Sequence, residues 1–290
     1  MSESGRRSAA APEQPSSSLR FLYRTVPGRA LLAVLSCRFV SSVAGAALSL
    51  PVSRLFVPRF AKKNGIDLSE YEDRRYRSFN DFFTRRVKPE NRPVDPAPEA
   101  LVSPCDARLS VYPVREDSLF RIKNGVYSVS SLLGEDGSAF AGGLCLVFRL
   151  CVDNYHRFCF FDGGVKTQSR FIRGKLHTVR PIATDSGVDI FARNCRTVSY
   201  LESEGFGRAA FCCIGALLVG RIVLAHPGPG RVSRGEEAGF FRFGGSTVVL
   251  LLPAGSAQLD GDIIKASEEG KETSVRFGER IGRSLKDVSL

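Results

Sequence analysis

Phe240-Phe241-Arg242-Phe243-Gly244-Gly245-Ser246-Thr247-Val248-Val249-Leu250-Leu251-Leu252-Pro253 is a strand pattern with one interruption. Aromatic and β-branched residues on either side favour an extended, half- or fully buried chain. Two adjacent glycines weaken a strand unless the backbone must bend there or be closely approached. Taken alone, the interruption reads as a β-bulge or a tight hairpin. A chemical reading competes with it. A serine hydroxyl beside its own preceding carbonyl can attack that carbonyl, provided a base takes its proton and the geometry is close to attack.

Working outward, strand-like runs dominate from about Leu101 onward, at 101–112, 143–151, 157–161, 196–203, 209–224 and 240–252, separated by Gly and Pro clusters such as Pro227-Gly228-Pro229-Gly230. Residues 21–92 read as mainly helical. The expected fold class is therefore α+β, a helical N-terminal segment packed on a mainly antiparallel β core. Three regions are expected: a disordered Ser/Ala/Pro/Gly-rich tail over 1–20, a basic amphipathic helical region over 21–95, and a β-rich core over 96–290.

The chain has 290 residues and a formal net charge of +11, enough length and apolar content for a sizeable core. The charge is uneven, since residues 1–92 hold 17 Lys/Arg against 8 Asp/Glu. That asymmetry points to an anionic partner, nucleic acid or a membrane surface. No RNP-like, helix-turn-helix or zinc-finger pattern is present, which favours the membrane. The longest uncharged run in the N-terminal region, Phe39 to Ser53, is shorter than the roughly 20 apolar residues a span needs. It is also interrupted and late for a signal peptide. Arg24, Arg29, Arg38, Arg54 and Arg59 stud the apolar sequence, as in helices that lie in the headgroup layer. A helical hairpin capping the core suits the same residues. Peripheral attachment at the cytoplasmic face of a membrane is expected.

The eight cysteines show no C-x-x-C spacing, so neither a zinc nor a dithiol redox site is expected, and no metal. Several sit in apolar runs such as Phe211-Cys212-Cys213-Ile214 and read as small buried residues of a reduced protein.

Several segments together carry a resemblance. Phe79-Asn80-Asp81-Phe82-Phe83-Thr84-Arg85-Arg86 with Lys88-Pro89 and Arg92-Pro93, then Ser103-Pro104-Cys105-Asp106, Tyr155-His156-Arg157-Phe158, Gly235-Glu236-Glu237-Ala238-Gly239-Phe240, and finally Phe243-Gly244-Gly245-Ser246-Thr247 follow one another in order. In motif, order and spacing, from about Ser78 to about Gly282, the chain resembles the phosphatidylserine decarboxylases. The resemblance implies that Ser246 attacks the Gly245 carbonyl in an N-to-O acyl shift. β-Elimination then splits the chain into 1–245 and 246–290, and Ser246 becomes a covalent pyruvoyl group. The substrate amine would form a Schiff base with that ketone, which serves as an electron sink during loss of CO₂. The implied reaction converts phosphatidylserine to phosphatidylethanolamine, on an anionic membrane surface, by a two-chain heterodimer of the protein's own fragments, with no nucleic acid involved.

By the same resemblance Asp106 is the acidic member of the processing site and His156 the histidine of its "YHR" element. The family carries a second histidine where this chain has Cys159. Three readings follow: His156 is the base, the Cys159 thiolate is the base, or the chain is not cut. His177 and His226 read as bystanders. Arg196 of an "NxR" element reads as a surface ion-pair former. Arg85, Arg86 and Arg92 are candidates for a headgroup-binding rim or for a solvated basic face. Two other functions stay in view, a pyruvoyl enzyme for a soluble amino acid and a silent homologue that binds anionic membranes.

Overall fold

The computed structural model describes residues 7–11, 16–122, 125–179, 190–216, 221–242 and 246–286. Its centre is the strand Ser246–Leu252, here called the serine strand, in which all seven residues are buried. Leu144–Leu150 flanks it on one side and Gly207–Gly215 on the other, both antiparallel. A strand covered on both faces needs no polar alternation, which is why this one reads as an unbroken apolar run. Val248, Leu250 and Leu252 join a cluster with Leu109, Phe148, Phe158, Phe211 and Phe241 on one face. Val249 and Leu251 join Val147, Cys212 and Ile214 on the other, as the two-residue period of a strand requires.

The main sheet runs Ala9–Ala10, Glu272–Val275, Ala107–Pro113, Leu144–Leu150, serine strand, Gly207–Gly215, Arg196–Ser203, Gly164–Lys166, Gly230–Val232, with Arg170–Ile172 also on Arg196–Ser203. All of these pairings are antiparallel. A smaller sheet holds Ile222–Leu224, Glu237–Phe241 and Arg157–Cys159. The expected strand 240–252 is thus two strands in two sheets, Glu237–Phe241 in the smaller and Ser246–Leu252 in the main one. The expected strand 101–112 is likewise divided, by a bend over Ser103–Asp106. Gly239 is needed where it stands: a Cβ there would lie 2.2 Å from the Val223 carbonyl oxygen on the neighbouring strand.

Among the described residues five short α-helices precede the β core: α1 (Ser17–Arg24), α2 (Val26–Leu35), α3 (Arg38–Ala47), α4 (Val57–Lys63) and α5 (Phe79–Phe83). Side chains start three of them: Ser16 accepts from Leu19 N, Thr25 from Gly28 N, and Ser78 from Asp81 N. Phe79, Phe82 and Phe83 of α5 bury against Val57 and Ala61. The Asn80 amide reaches back to the Gly45 carbonyl at 2.9 Å, tying α5 to the earlier helices. Tyr23 packs on Val179, Ile190 and Ala216, and its hydroxyl accepts from Thr178 N at 3.0 Å, so the helical layer is docked on the β core. Within the tail expected to be disordered, Ala9–Ala10 extends the main sheet, and Arg7 pairs with Asp260, Asp262 and Glu279.

The outward faces of α1–α3 and the following turn leave Phe21, Leu31, Val34, Phe39, Val43, Leu55 and Phe56 exposed, Phe39 by 74 %. Among the described residues no single helix is long and apolar enough to cross a membrane. Val26–Leu35 with Phe39–Ala47 passes that test only as a pair, bent by 67°.

Candidate active site

Ser246 opens the serine strand, opposite Leu150 on one neighbour and Gly215 on the other. It is fully buried, and its Oγ has no hydrogen-bond partner among the described residues. Most buried hydroxyls are paired, and although Ser41, Ser169, Thr247 and Thr273 share this condition, Ser246 alone among them directly follows the Gly-Gly break. Gly245, the other half of the expected scissile bond, lies outside the described residues, as do Phe243 and Gly244.

His156 sits at the entrance to the Arg157–Cys159 strand, and its carbonyl accepts from Phe241 N at 2.9 Å. Its ring lies against Phe83 of α5, centroids 4.0 Å apart. Nδ1 is 2.9 Å from the Asn154 carbonyl oxygen. A carbonyl can only accept, so Nδ1 carries the proton and Nε2 presents a lone pair, which meets no partner among the described residues. Burial lowers the imidazole pKa from 6.5 to about 3, the Asn154 carbonyl opposing this and the charge of Arg85 adding to it. The ring is neutral, fixed in one tautomer and fully enclosed.

Asp106 closes the Ser103–Asp106 bend. Its carboxylate accepts from Arg92 Nε at 2.9 Å and Arg92 Nη2 at 2.8 Å, and from Phe277 N at 2.8 Å. Arg92 also donates to Glu70 at 2.9 Å. The carboxylate expected to orient the histidine is therefore bound to an arginine, and a backbone carbonyl orients the histidine instead. Among the described residues no hydrogen bond joins Ser246, His156 and Asp106. Their elements nevertheless converge: Cys159 N donates to the Pro104 carbonyl at 2.8 Å, which links the aspartate bend to the histidine strand. That strand pairs with Glu237–Phe241, whose chain leads on to Ser246.

Cys159 is fully buried, with its thiol 3.9 Å from the Ser103 carbonyl oxygen. Burial pushes its pKa well above the usual thiol range. Among the described residues no cation contributes at Cys159 as the thiolate reading would need.

The three arginines expected at a rim part company. Arg86 is exposed, 3.6 Å from Glu237. Arg92 is buried in its ion pairs, and Arg85 is 1 % exposed. Arg85 Nη2 donates to the Tyr71 hydroxyl and the Asp153 carbonyl, both at 3.1 Å, while Nε and Nη1 have no partner among the described residues. Arg196 is no surface residue either: it is buried and donates to the carbonyls of Ser131, Leu132 and Asn194. His226 is partly exposed, 2.8 Å from Glu236. On the other face of the serine strand a cavity of about 560 Å³ is lined by Thr247, Val147, Phe191 and the ion-paired Arg149 and Glu272. Among the described residues no three His, Cys, Asp or Glu side chains group as metal ligands would.

The family described as phosphatidylserine decarboxylase matches residues 79–283. Phosphatidylserine decarboxylase proenzyme 2 of Clostridium acetobutylicum is 38% identical over 269 residues, 92% of this chain and 91% of that protein. The phosphatidylserine decarboxylase proenzyme of Ruminiclostridium cellulolyticum is 39% identical over 273 residues, 92% of this chain and 91% of its own length. That of Chlamydia caviae is 36% identical over 276 residues, covering 93% and 92%. The matched segment contains the Asp106 bend, the His156 strand and the serine strand alike, and on this match the chain belongs to the phosphatidylserine decarboxylase family.

Proposed function

We propose that this protein decarboxylates phosphatidylserine to phosphatidylethanolamine after cutting itself between Gly245 and Ser246. The observation that carries the proposal is the orphaned, fully buried Ser246 hydroxyl at the head of a central strand, directly after two glycines. Ser246 Oγ attacks the Gly245 carbonyl, and the peptide becomes an ester. Loss of the proton on Ser246 Cα expels the Gly245 carboxylate, and hydrolysis then releases ammonia and leaves a pyruvoyl group at the start of 246–290. His156 Nε2 supplies the lone pair that receives the hydroxyl proton. Asp106, held by Arg92 and the Phe277 amide, is fixed as the acidic member of the site. A buried serine with no competing partner among the described residues suits the origin of such a group, which provides the electron sink that no coded side chain offers.

We further place the enzyme at the cytoplasmic face of a membrane, peripherally. Exposed Phe39, Leu55 and Phe56 beside Arg54 and Arg59 support this, since apolar side chains among cations suit an anionic interface.

Intact mass and a denaturing gel test the proposal. Purified protein should run as a 245-residue and a 45-residue piece. Ser246→Ala should stay whole. A single unmodified chain in active material would end the proposal, and one in inactive material would favour a silent membrane-binding homologue. CO₂ release from free serine but not from the phospholipid would favour a soluble amino-acid substrate.

A further inference from the structure

We infer that Arg85 binds the phosphodiester of the substrate headgroup, an inference that rests on the phospholipid substrate proposed above. Arg85 is a buried cation without a counter-ion among the described residues. Arg92 is matched by Asp106 and Glu70, Arg149 by Glu272 and Arg157 by Glu237, but among the described residues no carboxylate pairs with Arg85. Its Nη2 is tied down by the Tyr71 hydroxyl and by the carbonyls of Asp153 and Asn154. Its plane is fixed between two rings, with Cζ 4.2 Å from the Tyr71 centroid and 4.8 Å from that of Phe82. Among the described residues, two of the three guanidinium nitrogens are left with hydrogens and no acceptor. A rigid, dry and unmatched guanidinium is costly unless something anionic is to come.

Its position relates that anion to the chemistry. The Asn154 carbonyl accepts from Arg85 Nη2 at 3.4 Å and from His156 Nδ1 at 2.9 Å, so one atom holds both side chains. His156 Nε2 is unpartnered as well among the described residues. An anion on Arg85 is thereby brought beside the neutral imidazole.

The headgroup offers two anions, and the reaction chooses between them. The carboxylate leaves as uncharged CO₂, so a cation clamped on it would hold the ground state more tightly than the transition state and slow the reaction. The phosphodiester keeps its charge from binding to release. Contacts to it are uniform in strength and appear in KM rather than kcat.

The test uses processed enzyme, dihexanoyl phosphatidylserine as substrate, and Arg85→Met beside Arg85→Lys. Arg85→Met should raise KM roughly 10- to 100-fold with kcat nearly unchanged, as loss of a charge-assisted contact would. Glycerophosphoglycerol, an amine-free phosphodiester, should inhibit wild type competitively and lose its hold on Arg85→Met by the same factor. Propionate, an amine-free carboxylate, should inhibit both alike, and Arg85→Lys should recover part of the loss. An unchanged KM, a fall in kcat alone, or loss of propionate rather than phosphodiester inhibition overturns the inference. Should Arg85→Met fail to mature, Tyr71→Phe removes only the hydroxyl that accepts from Nη2. It should raise KM roughly threefold, and an unmoved KM there is equally fatal. Wild type that releases no CO₂ from any serine phospholipid would instead sink the proposed function.

Discussion

Lowering the pH from 7 to 5 should destabilise the uncut Ser246→Ala chain through a single buried ring. His156 has a folded pKa of about 3, against 6.5 for the same side chain unfolded. Between those values the unfolded chain takes up a proton that the folded chain refuses. Stability from this group is therefore complete above about pH 6.5 and is lost as the pH falls toward 3. At about 1.4 kcal/mol per pH unit, the 1.5 units from 6.5 to 5 amount to about 2 kcal/mol. Staying at or above pH 5 keeps most carboxylates ionised in both states. A His156→Gln partner in the same background removes the ring and leaves the rest. The chain has no Trp, so far-UV circular dichroism in urea is the suitable readout. The two proteins should differ in their pH 7 to pH 5 loss by about 2 kcal/mol. Equal losses in both would show that His156 is solvated or already charged, and the neutral-base role given to Nε2 would fall with it.

Arg92→Met should cost about 3–5 kcal/mol, because it strands a buried Asp106, whereas the double variant with Asp106→Asn should recover part of that in the same urea titration. Cys159→Ser should leave the rate of self-cleavage within about threefold on a gel time course, since a thiol held protonated by burial is no base; abolished cleavage would restore the thiolate reading. Gly239→Ala should destabilise by roughly 1–3 kcal/mol, as its Cβ must push the Val223 carbonyl away; an unchanged urea midpoint would refute that. Phe39→Asp with Phe56→Asp should weaken sedimentation with phosphatidylserine-rich vesicles while leaving self-cleavage intact, and unweakened binding would exclude this face as the membrane contact.

The strands of the core were legible because their apolar runs are continuous and their ends carry Gly and Pro. Leu144–Leu150 and Arg196–Ser203 fall almost where the patterns begin and stop. The division of 240–252 between two sheets was not legible, because the residues on either side of the break have the same strand preference. Only the pairing partners, Cys159 on one side and Leu150 on the other, tell the halves apart. Ser246, His156 and Asp106 stand out in the sequence by motif. The partners that set their behaviour do not: Asn154 acts on His156 through its carbonyl, which every residue has, and Arg92 meets Asp106 from the far side of the Ala100–Val102 strand. Arg85 and Arg92 read as a headgroup-binding rim or a solvated face, both exposed settings, because arginine usually is exposed. Their burial follows from partners distant in sequence, Tyr71 and the 153–154 carbonyls for Arg85 and Glu70 and Asp106 for Arg92, which leave no local signature.

The serine strand lies between Leu144–Leu150 and Gly207–Gly215, both upstream of Gly245, and farther on Glu272–Val275 and Arg280–Ser284 are laced to Ala107–Pro113 and Ala100–Val102. A break at Gly245 would thus sever a covalent thread inside a fabric whose weave holds without it. The short piece could not drift off while the cloth remained whole, so maturation would be mechanically silent, and only unravelling the entire garment would reveal two chains.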